Sequence, residues 1–189
     1  MISGLIVVGL ASHSLGLLAA GGDFIADSLA IALGIFAVHR RDEHGNRLAP
    51  TYVAFVNGAI LLGVITVVMY GSIHRLLTST PEIHGLPVLI VSVISAIGMF
   101  TGVLILGKDS GSEDLHMRSV LLDTLADGLA AAGVAIVGAI IFFAHELYWL
   151  DSVAAIAISL LIGLGAVKLL ADVAHSLHQH KPLQFKDND

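Results

Sequence analysis

Cysteine is absent from this 189-residue chain, proline occurs four times, and no lysine or arginine precedes Arg40. Each shortage excludes something. Without cysteine there is no disulfide framework and no thiolate metal site. Without an early basic residue the N-terminus cannot be a secretory signal peptide, which needs a basic region ahead of its apolar stretch. Charged residues make up 13% of the chain against 56% hydrophobic ones, and mean hydropathy is +0.90. That balance describes a chain lying mostly in lipid, not a soluble domain. The net charge of -6 offers no surface for nucleic acid. The length allows one domain.

What is present is a series of long apolar runs. A spanning helix needs about 20 apolar residues, and the stretches 15–38, 51–74, 86–106, 117–144 and 150–171 meet that requirement. The expected fold is an all-α membrane protein: a bundle of five complete transmembrane helices preceded by a truncated one. Met1 to Leu10 is apolar but too short to cross. It reads as the tail of a further helix, with a re-entrant or interfacial stub as the alternative. Pro81 and Pro87 flank one link, and Gly107 to Gly111 opens another. Tyr148 and Trp149 mark a headgroup-level boundary. Alternate links fall on opposite faces of the membrane. Arg40, Arg41, Arg47, Lys108, Arg118, Lys168, Lys181 and Lys186 then share one face, and Arg75 alone lies on the other. By the positive-inside bias the first face, with the C-terminus, is cytoplasmic.

Four aspartates break the apolar pattern. Asp23, Asp27, Asp123 and Asp127 all lie well inside spans. An aspartate at a helix centre costs about 2.5–3.5 kcal/mol, so four cost on the order of 10–14 kcal/mol. A functional site is the default meaning of such residues. Each pair is spaced i,i+4, which puts its members on one helical face with Cβ atoms about 5–6 Å apart. The segments 23–32 and 123–132 agree at six of ten positions: both aspartates, Ala26/Ala126, Leu29/Leu129, Ala30/Ala130 and Ala32/Ala132. Small residues surround the acids (Gly21, Gly22, Ala26 and Ala30; Ala126, Gly128, Ala130 and Ala131), and they should let the two helices approach closely. No lysine or arginine sits at matching depth. A divalent cation would relieve the repulsion. An empty cluster should hold protons as one coupled unit.

In order and at these intervals, SHSLGLLAAGGDFIADS (12–28), VNG (56–58), LLDTLADGLAAAGV (121–134) and YWLDSVAAIAISLLI (148–162) resemble the cation diffusion facilitators. Those are proton-coupled divalent metal exporters. The resemblance implies six helices, a homodimer, and a tetrahedral site shared by the second and fifth helices, mapping onto Asp23, Asp27, Asp123 and Asp127. It implies alternating access, with proton influx driving metal efflux, and a multi-pass protein of the bacterial plasma membrane. The partners it implies are lipid, divalent cations and protons. No resident cofactor and no enzymatic activity are expected. Departures stand out. The first helix is short, and no counterpart of the family's cytoplasmic metal-sensing domain follows before Asp189. All four acids are aspartate, where zinc-preferring members usually carry a histidine. Oxygen ligands also suit manganese, and zinc accepts carboxylates. Zinc is therefore favoured on the family resemblance, with manganese, iron, cobalt or cadmium as alternatives.

Residues 1–174 are expected to form the transmembrane unit, and 175–189 a short cytoplasmic tail in which His175, His178 and His180 could gather metal. His116, seven residues before Asp123, stands near the cytoplasmic mouth, and His13 near the outer one. His39 and His44 read as loop residues. Asp151 is expected to cap the last span, and Asn57 to bond a neighbouring helix. Two other readings fit parts of the sequence. A non-transporting partner subunit in a hetero-oligomer would bind metal without moving it. An intramembrane aspartyl protease would need Gly-x-Gly-Asp, but Ala20, Gly21 and Gly22 precede Asp23. A zinc-peptidase motif starting at His145-Glu146 fails because Trp149 stands where the second histidine belongs.

Overall fold

The computed structural model describes residues 1–44, 49–109 and 115–178, and among these every element is a helix. They are α1 (Ile2–Ala11), α2 (Leu15–His44), α3 (Ala49–Leu77), α4 (Gly85–Asp109), α5 (Leu115–Ala144) and α6 (Trp149–His178). Five of them, α2 to α6, are long and apolar enough to cross a membrane. Each contains one of the expected spans, so the chain is a multi-pass integral membrane protein. At 25 to 30 residues these helices run about 38–45 Å, which exceeds an apolar layer of about 30 Å. Arg47, His180, Lys181 and Lys186 lie outside the described residues, as do the side chains of His39, Arg40, Arg41, His44, Lys108, His116 and Arg118.

Lipid offers hydroxyls no hydrogen-bond partner, and several in the spans bond back to carbonyls of their own helices. Thr66 donates to the Leu62 carbonyl, Ser92 to Val88 and Thr101 to Ile97, each at 2.7 Å. The helices pair as α4 with α5 and α3 with α6, and α2 packs along α3. The short α1 runs along α2 and touches α4, burying Leu5 and Gly9. The densest core gathers towards the ends marked by Leu15, Leu77, Gly85, Ala144 and Trp149. There Leu17, Val88, Val134, Ile141 and Ala155 are fully buried.

The turn between α1 and α2 is built from the backbone. Ser14 N–H donates to the Gly9 carbonyl at 2.9 Å and His13 N–H to Leu10 at 3.3 Å. This is the Schellman pattern, in which the left-handed position usually carries glycine. His13 fills it instead, with φ of 56°. His13→Gly is therefore expected to leave stability unchanged or raise it by up to about 1 kcal/mol, and His13→Val to lower it by about 1–2 kcal/mol. Thermal melts of the purified protein would check this ranking.

Asp151 behaves differently from the sequence expectation. Its carboxylate does not cap its own helix but reaches the first turn of α2, 136 positions away in sequence at Leu15. Burial of both partners makes this long-range contact possible, and chain order alone could not show it.

Candidate metal site

Asp23 and Asp27 stand on successive turns of α2, and Asp123 and Asp127 on successive turns of α5. The structure brings three of them together: carboxylate oxygens of Asp23, Asp27 and Asp127 all lie within 4.8 Å of one another. All three are partly buried. Asp123 is exposed and stands outside this group. It shares with the other three a cavity of about 460 Å³, which is also lined by Asn57 and Leu61 of α3 and by Ile158, Leu161, Gly165 and Leu169 of α6. Asp27, Asp123 and Asp127 also border a second cavity, of about 540 Å³, bounded by α1 (Ile2), α2 (Phe24, Ser28), α4 (Met99) and α5 (Thr124).

Among the described residues, none of those lining either cavity is lysine, arginine or histidine. The acids therefore face one another with no cationic side chain among the described lining residues to balance them. From the aspartates the first cavity continues past Asn57 and Gly165 to Leu169, towards the helix ends that carry most of the basic residues. In the other direction lies the packed core of Leu17, Val134 and Ala155.

The small residues near the acids do something other than expected. A Cβ on Gly21 would come within 2.7 Å of Ile6 on α1, one on Gly22 within 2.5 Å of Val64 on α3, and one on Gly128 within 3.3 Å of Met99 on α4. These glycines seat each acidic helix against its flanking helices. Contact between α2 and α5 themselves is slight. The acidic helices have a cavity between them.

Other expected roles sort as follows. Asn57 does line the site, but its Oδ1 is buried with no hydrogen-bond partner among the described residues, so the expected bond to a neighbouring helix is not made. His13 serves the backbone turn. His175 and His178 stand in the last turn of α6, which continues to His178. Asp151 bonds to α2 and not to its own helix, unlike the expected cap. Its position near the start of a span suggested a local cap, and nothing in the local sequence points to α2.

Helix composition, span count and a cluster of acidic side chains within the spans define a multi-pass membrane protein with carboxylates gathered inside its helix bundle. Residues 1–178 match the cation efflux transmembrane domain. The chain belongs to that family, the cation diffusion facilitators. It is 29% identical over 187 residues to the zinc transporter ZitB of Yersinia pestis, covering 95% of this chain and 59% of that protein. Against ZitB of Escherichia coli the figures are 28% over 190 residues, 95% and 59%. A cadmium, cobalt and zinc/H(+)-K(+) antiporter of Bacillus subtilis is 23% identical over 201 residues, 100% of this chain and 64% of that protein. The chain thus spans about three-fifths of the length of these curated relatives.

Proposed function

We propose that this protein carries zinc, or a divalent ion of similar chemistry, across a membrane in exchange for protons, through a site formed by Asp23, Asp27, Asp123 and Asp127. The observation that carries this reading is the convergence of three carboxylates within 4.8 Å in a cavity with no basic side chain among its described lining residues. Such a cluster is unfavourable when empty and ionised, and a doubly charged ion or protons relieve it. Metal and protons then compete for the same oxygens, and this competition is the coupling. Asp123, on the cavity wall, completes a four-oxygen set when the ion arrives. Family membership supports the cargo class, and the names of the Yersinia and Escherichia relatives support zinc.

The cavity leads towards the basic helix ends, so the present conformation faces the cytoplasm if the positive-inside bias holds. Residues 1–174 form the transport unit in this reading. The segment 175–189, with His175, His178 and His180, gathers metal in this reading. A homodimer is the assembly implied by the family.

The test is reconstitution of the purified chain in liposomes carrying internal zinc and pH reporters. Zinc flux with opposite proton movement is expected. Saturable zinc binding without flux would instead make the chain a partner subunit. No saturable binding of zinc, manganese, cadmium, cobalt or iron would remove the site altogether.

A further inference from the structure

The outer end of α2 is fastened by groups from two other helices. Asp151, in the first turn of α6, is fully buried. Its Oδ1 accepts a hydrogen bond from Ser14 Oγ at 2.6 Å and a longer one from Gly16 N–H at 3.4 Å, and its Oδ2 accepts from Leu15 N–H at 2.7 Å. Ser14 Oγ in turn accepts from Leu17 N–H at 3.1 Å. These are the first-turn N–H groups that a helix leaves without internal partners, and in an apolar layer each must find one. Ser14 alone could satisfy one of them, and Asp151 supplies the rest across the helix interface. Gly16 makes room: a Cβ there would lie 3.2 Å from Asp151 Oδ1. From the other side Arg75, in the last turn of α3, donates to the His13 carbonyl. Because α3 and α6 are closely paired, the two fastenings act as one clasp.

We propose that Asp151 is a positioning residue for the metal site: from α6 it fixes the depth and rotation of α2 and thereby places Asp23 and Asp27 opposite Asp127. The inference rests on the metal-site reading above. Asp23 lies eight residues beyond Leu15, about 12 Å along the helix axis. Over that length α2 borders a cavity and has little packing against α5 to register it. A helix that crosses a cavity takes its register from its end and from its other neighbours. The clasp adds a directional, charge-assisted anchor at that end, beyond the steric seats of Gly21 on α1 and Gly22 on α3.

The absence of cysteine allows clean labelling. Spin labels on Ile31→Cys of α2 and Leu129→Cys of α5, both at exposed positions, report the separation of the two helices by pulsed EPR in the reconstituted full chain. Asp151→Ala is expected to shift or broaden that distance by about 2–3 Å, half a helical pitch, and to raise the zinc Kd about tenfold, as loss of a ligand's supporting bond does. Asp151→Asn keeps one acceptor oxygen and should fall between wild type and alanine on both readouts. Ser14→Ala is the milder probe if Asp151→Ala fails to fold, with the same direction and a smaller change expected. An unchanged label distance in a folded Asp151 or Ser14 variant overturns the proposal, and so does an unchanged zinc Kd where the labels have moved. Failure of the wild-type chain to bind zinc would count against the metal site itself. The distance measurement would still decide whether Asp151 places α2.

Discussion

Replacing Asp27 or Asp127 by alanine is expected to abolish zinc transport while leaving the protein inserted and folded. Each removes one of three carboxylates that lie within 4.8 Å of one another. Loss of a group that merely supports a metal ligand costs about 10–100-fold in affinity, so loss of a ligand should exceed about 100-fold. The stability change has the opposite sign. An aspartate in a span costs about 2.5–3.5 kcal/mol, and its removal also relieves repulsion from the remaining acids. In the absence of metal the variants should therefore melt at or above the wild-type temperature. Saturating zinc stabilises the wild type by mass action and should do almost nothing for the variants. Asp123→Asn is expected to be milder, since that side chain is exposed and stands outside the group of three. Wild-type flux in Asp27→Ala or Asp127→Ala would end the proposal, as would a zinc-dependent melting shift that survives in both.

A second large effect is expected at the α4–α5 crossing. A Cβ on Gly85 would lie 2.6 Å from the Phe142 backbone nitrogen and 2.8 Å from the Gly138 carbonyl oxygen. One on Gly138 would lie 2.9 Å from the Leu89 nitrogen. In both cases the obstacle is main chain, which cannot rotate aside as a side chain can. Gly138→Ala must therefore push the helices apart and should cost about 1–3 kcal/mol, the usual range for overpacking, with Gly138→Leu worse. Gly102 sits between the same two helices, but a Cβ there would meet only Thr124 Cγ2 at 3.8 Å. Gly102→Ala is the control and should be neutral or stabilising by up to about 1 kcal/mol through helix propensity. Because α5 carries Asp123 and Asp127, Gly138→Ala should also weaken zinc binding. Thermal melts and zinc titrations of the three variants would check the ranking. Equal behaviour of Gly102→Ala and Gly138→Ala would show that the crossing is not tight.

How far each feature was legible depended on its range along the chain. The five spans were legible because lipid demands about 20 apolar residues in a row, a requirement met locally and visible in any window of that length. The acidic pairs were legible for a similar reason. Charge in lipid is costly enough to be an anomaly, and i,i+4 spacing fixes a shared face before any packing is known. Asn57 was visible as a polar residue in a span, but its place in the cavity wall was not. The glycines beside the acids were visible too, and misleading. A small residue permits close approach without saying which helix approaches, and here α1, α3 and α4 do so.

Local composition by itself determined that the chain crosses the membrane repeatedly and that Asp23 with Asp27, and Asp123 with Asp127, share a face of their own helix. Tertiary structure decided that three of the four converge while Asp123 lines the wall, that a cavity separates α2 from α5, and that Asp151 holds α2 from α6. The physical reason is that hydropathy and helical periodicity act over neighbouring residues, whereas the Asp151 contact joins positions 136 apart and exists only once the helices have packed.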